Sequence, residues 1–74
     1  MKEFYKKLAR DIVDSNMVIR SRFASVGRDQ LAVGNCRYSV YDDVRKRQYS
    51  YVGVNTAILK WDYINYREMK NDRS

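Results

Sequence analysis

With 74 residues, 45% of them apolar, the chain has material for one small core; the apolar content excludes an intrinsically disordered chain and the length excludes two domains. Fifteen lysines and arginines against nine acids leave a net charge of +6, which favours a polyanion, an acidic protein or an anionic surface as partner. Histidine is absent and Cys36 is the only cysteine, so the commonest general base, the commonest metal ligand and any intrachain disulfide are excluded together.

The N-terminal stretch from Met1 to Lys7 is charged and has no apolar run like that of a signal peptide. No segment approaches the roughly 20 apolar residues that cross a bilayer, so no membrane partner is expected. A lone cysteine in so small a domain fits a reducing, cytoplasmic setting.

From Lys2 to about Asp14, Tyr5, Leu8, Ala9, Ile12 and Val13 recur at spacings of three and four, which predicts an amphipathic helix. Asp14, Ser15 and Asn16 compete with helical hydrogen bonding and mark its end. Met17 to Phe23 reads either as an extension of that helix, the favoured reading, or as a short strand with Arg20 and Arg22 on one face. Val26-Gly27-Arg28-Asp29 has turn composition.

Alternation then predicts three strands, Leu31 to Tyr41, Gln48 to Val54 and Ala57 to about Tyr66, joined by a loop over Asp42 to Arg47 and a tight turn at Asn55-Thr56. On a helix the apolar residues of the last segment spread around the whole circumference, whereas strand parity groups Leu59, Trp61 and Tyr63; a bulge near Tyr63 and Ile64 would bring Ile64 and Tyr66 onto the same face. Residues 1–69 form the domain and Lys70 to Ser74 a frayed polar tail. The expected fold is α+β, an N-terminal amphipathic helix packed on a three-stranded antiparallel β-meander. Its core would hold Leu8, Ile12, Val13, Cys36, Tyr38, Val40, Val52, Val54, Leu59 and Trp61.

That arrangement turns Arg37, Tyr41, Tyr49 and Tyr51 outward beside the cations Arg45, Lys46 and Arg47. Bases stack on aromatic rings while Arg and Lys neutralise phosphates, so these seven residues are the candidate nucleic-acid site, with RNA or single-stranded DNA favoured. A β-ribbon entering a duplex groove uses the same hairpin. Two plainer readings stand beside it. Cross-strand tyrosines stabilise a hairpin without any ligand, and a basic tip keeps an edge from pairing.

The rival function is a protein-interaction module, an inhibitor or adaptor docking a basic, tyrosine-rich face on an acidic protein, since Tyr, Trp and Arg also dominate interface hot spots. A short basic domain of this kind suits a phage or mobile-element accessory protein, a resemblance of type that rests on no signature. An exposed edge strand would allow a homodimer. No catalytic, metal or cofactor motif stands out: Asp11 and Asp14, or Asp42 and Asp43, lack a third ligand, and Cys36 reads as a small buried hydrophobe. An enzyme is the least supported class.

Overall fold

The structure is a computed structural model that describes residues 3–29 and 37–72. Among these residues the order is α1 (Glu3–Ser15), β1 (Ile19–Arg20), β2 (Ala24–Arg28), β3 (Tyr38–Asp42), β4 (Arg47–Tyr51) and α2 (Val54–Asp72). The strands form one antiparallel sheet in chain order. Helix α2 lies across β2, β3 and β4, while α1 packs beside α2 and over β2. The α+β class is as expected; a fourth strand and a second helix replace the three-stranded meander. No helix among the described residues is long and apolar enough to cross a membrane.

Helix α1 follows its apolar spacing, burying Leu8 and Ile12 and half-burying Tyr5 and Ala9, although Val13 falls on its exposed side. It stops where short polar residues gather. Asn16 takes φ 52°, the left-handed position that Asn tolerates at a helix end, and the Met17 amide donates back to the Asp11 carbonyl. Helix therefore does not continue into Met17 to Phe23: Ile19 and Arg20 form β1, paired with Val26 and Ser25.

The Val26-Gly27-Arg28 segment is strand rather than turn. Gly27 is there for close approach, because a Cβ on it would sit 3.1 Å from Val18 Cγ2. Of the expected first strand, Tyr38 to Tyr41 is observed, while Leu31 to Cys36 lies outside the described residues, so the placement of Cys36 in the core does too. The second strand ends at Tyr51, leaving Val52 62% exposed.

The largest correction concerns the C-terminal segment. Gly53 and Val54 open a helix, with the Ala57 amide donating to the Gly53 carbonyl, so Asn55-Thr56 is a first helical turn and neither a third meander strand nor a bulge exists at Ala57 to Tyr66. At 100° per residue Ala57, Ile58, Trp61, Ile64 and Glu68 fall on one side and are buried. Leu59, Tyr63 and Tyr66 lie on the opposite side and are more than half exposed. Apolar residues ring the helix because it carries more of them than the core uses. The helix also runs through Lys70 and Asn71, positions expected to fray.

This assignment separates two neighbours. Ile58 is fully buried and Leu59 is 55% exposed, so Ile58→Ala is expected to cost about 2 to 5 kcal/mol, and Leu59→Lys to stay within about 0.5 kcal/mol. Urea denaturation of both variants checks the pair; a strand over this segment, with Leu59 and Trp61 inward, would reverse the order.

Candidate nucleic-acid interface

The site is built on the β3–β4 hairpin and the turn that meets it. Asp42 pairs with Arg47, and Asp43 to Lys46 make the tip. The Asp42 carboxylate closes that tip from below: its Oδ1 accepts the Val44 and Arg45 amides at 3.0 Å each, the local bonding that makes Asp a turn-former. Lys46 takes φ 57° to complete the reversal, a backbone position uncommon for a residue with a side chain.

Asp42 is completely buried, and its second oxygen accepts Arg67 Nη2 from α2 at 2.9 Å. Arg67 Nε also donates to Glu68 Oε1 at 3.0 Å, and Arg45 Nη1 reaches the same oxygen at 2.8 Å. Asp42, Arg45, Arg67 and Glu68 thus form a closed network that bolts the hairpin to the C-terminal half of α2. Burial by itself would push the Asp42 carboxyl up, but the Arg45 and Val44 amides and the Arg67 guanidinium outweigh it and hold the group below the ordinary carboxylate range. Hydrogen bonds from Arg45 and Arg67 hold Glu68 low as well, against a smaller upward push from burial.

Both lowered carboxyls bind protons less readily in the folded chain than in the unfolded one. Their stabilisation is therefore complete above the unfolded values, about 3.9 for Asp and 4.3 for Glu, and is lost as pH falls through the lower folded values. The urea midpoint is expected to hold from about pH 7 to 5 and to drop below about pH 4. Asp42→Asn should flatten that drop; an unchanged acid limb in this variant would contradict the role given to Asp42.

A second turn stands beside the tip. Ala24 pairs with Asp42, and the Asp43 amide donates to the Phe23 carbonyl at 2.9 Å, which sets Arg20 and Arg22 next to the hairpin end. One cross-strand row on the sheet face opposite the helices runs Arg20, Ser25, Tyr41, Gln48. The two acids of the network face Arg45 and Arg67; Arg20, Lys46, Arg47 and the acid Asp43 are exposed on this end, and Arg22, also exposed, lies against the Phe23 ring.

The seven residues expected at the site fall in different parts of the fold. Lys46 and Arg47 stand exposed at the tip, and Tyr41 is on the open face. Arg45 is committed to Glu68. Arg37 lies just before the other end of β3, about 16 Å along the strand from Asp42 at about 3.3 Å per residue. Tyr49 and Tyr51 do not face outward: Tyr49 pairs with Val40 and Tyr51 with Tyr38, which puts both on the helix-covered face, packed against the core. Burial, with a smaller contribution from Tyr49, raises the Tyr51 phenol pKa, and Lys60 Nζ sits 4.3 Å over the Tyr49 ring. A stacking platform of Tyr41, Tyr49 and Tyr51 is therefore not assembled.

A helix continued through Met17 to Phe23 would have kept Arg20 and Arg22 on α1; the pairing of β1 with β2 is what brings them here. Arg67 and Glu68 carried no local signal, because the network joins residues more than 20 positions apart. On α1, Lys6 and Lys7 sit 3.7 Å from Glu3 and Asp11 on a solvated face. Among the described residues no three acidic or thiol side chains converge where a metal ion could sit. No protein-family model matches the sequence, and no curated protein or solved structure is significantly similar to it.

Proposed function

We propose that the protein binds nucleic acid, RNA or single-stranded DNA, with the hairpin end as its phosphate grip. The observation that carries this reading is the pairing of Ala24 with Asp42, which gathers cations from two distant segments, Arg20 with Arg22 and Lys46 with Arg47, onto one end of the sheet. The Asp42 network supports it, because it fixes the tip to α2 and pairs the acids Asp42 and Glu68 with Arg45 and Arg67. Lys46 and Arg47 contact successive phosphates, Arg20 a phosphate further along, and Tyr41 offers one ring to a base.

Binding of this kind releases counterions and weakens with salt. Titration of the protein into labelled single-stranded RNA, single-stranded DNA and duplex DNA, followed by anisotropy from about 50 to 200 mM salt, should give a log-log slope of about −2 to −3 for at least one single strand. Salt-insensitive or absent binding to all three would overturn the reading and leave an acidic protein as the partner to seek.

A further inference from the structure

Next to the cationic end, an open cleft of about 430 Å³ lies between the N-terminal turn of α1, the middle and C-terminal turns of α2 and the β1–β2 turn. Phe4, Phe23, Trp61 and Met69 supply its apolar walls, and Ser21, Asp62 and Asn65 its polar groups. Phe23 is the residue whose carbonyl holds the hairpin tip, so the cleft and the grip share one turn. Arg22, a lining residue, has its guanidinium 5.1 Å from the Phe23 ring centroid and stands exposed between the two surfaces.

We infer that this cleft accepts one unstacked nucleobase of a strand whose phosphates lie on the hairpin end. The inference rests on the phosphate-grip reading and adds to it the feature that selects single strands. Binding clefts are mostly apolar with a few placed polar groups, and a flat aromatic base matches walls made of three aromatic rings and a thioether. The polar groups are anchored. Tyr5 Oη donates to Asp62 Oδ2 at 2.7 Å, and Ser21 Oγ lies 2.8 Å from the Ala24 carbonyl and 2.6 Å from the Asn65 side-chain amide. Each keeps spare hydrogen-bonding capacity for a base edge: Asp62 has a second oxygen, and Asn65 has two amide hydrogens and two lone pairs in all. Charge favours a nucleotide as the occupant, because Arg20, Lys46 and Arg47 stand exposed at the end of the sheet that adjoins the cleft through the Phe23 turn.

Trp61 is the sole tryptophan, so its emission reports the cleft. The probes are an eight-residue oligothymidylate and the same backbone built from abasic residues, which keeps the phosphates and removes the bases. The oligothymidylate should quench Trp61 saturably and bind about tenfold or more tighter than the abasic strand, the range reported for loss of a stacked base. The abasic strand should still bind with a similar salt slope and leave the emission unchanged. Phe4→Ala, at a 59% exposed position, should remove the tenfold preference without weakening the abasic strand, with circular dichroism confirming the fold.

Equal affinity and equal emission for both strands would overturn the cleft while leaving the grip intact. Binding of neither strand would overturn both. Quenching by an acidic amphipathic peptide and not by oligothymidylate would assign the cleft to a protein and overturn the inference.

Discussion

Asp42→Ala is expected to be among the most damaging single substitutions in this protein, costing about 3 to 5 kcal/mol, the range for breaking a buried ion pair from one side. The carboxylate is completely buried and meets three donors, the Val44 and Arg45 amides and Arg67 Nη2. Alanine leaves those donors facing a space with no acceptor, and unsatisfied buried groups carry their full desolvation cost. A domain of this size has only about 5 kcal/mol or somewhat more in reserve, so the variant should be largely unfolded in mild denaturant. Asp42→Asn keeps an oxygen for the loop amides and gives up only the charge opposite Arg67; it should fall between parent and alanine. Urea denaturation followed by circular dichroism gives the order directly. An alanine variant within about 0.5 kcal/mol of the parent would mean that the tip does not depend on the network.

Removing the charges of the grip is expected to take away most of the salt dependence of binding. In the triple variant Arg20→Gln, Lys46→Asn, Arg47→Gln, asparagine is chosen at 46 because it tolerates the φ of 57° found there. Each lost phosphate contact removes about 0.7 from the log-log salt slope for a single strand and about 0.9 for a duplex. Three contacts correspond to a slope change of about 2 to 3 units, and thus to an affinity that falls roughly 20- to 40-fold less between 50 and 200 mM salt than that of the parent. All three positions are exposed and none joins the Asp42 network, so the fold should persist. Retention of the parental slope by a folded triple variant would place the phosphates elsewhere.

Part of this was readable in the chain. Helix α1 was legible because its apolar residues have one stripe and its end is marked by Asp14, Ser15 and Asn16. The β3–β4 hairpin was legible because alternation surrounds a polar tip, although the inner face was misjudged: Val52 looked like the better core residue, yet it lies beyond the end of β4, and Tyr49 and Tyr51 take the inward positions opposite Val40 and Tyr38. Helix α2 was hidden by its own surplus. Leu59, Tyr63 and Tyr66 form an exposed stripe opposite the buried one, and a helix apolar on two sides has no clear 3.6-residue signal. Strand β1 has only two residues, too few to show a period.

The candidate site divides along the same line. Lys46 and Arg47 were found because they are adjacent in sequence. Arg20, Arg22 and the cleft at Phe23 and Trp61 needed the strand register and the true path of α2, both long-range outcomes of packing rather than of local pattern. Arg45 looked like a third phosphate contact, and only the position of Glu68 on α2 reveals its structural employment.

The hairpin end is best tested against the opposite end of the same sheet. Lys46→Asn with Arg47→Gln, and Arg28→Gln with Arg37→Gln, each remove two exposed charges and change the net charge equally; Arg28 and Arg37 lie at the far ends of β2 and β3. Salt slopes for a labelled single strand should then diverge, the first variant losing about 1.4 units, two contacts at about 0.7 each, and the second keeping the parental value. Equal losses from the two variants would show that binding follows net charge alone, and would contradict a phosphate grip built at the hairpin end.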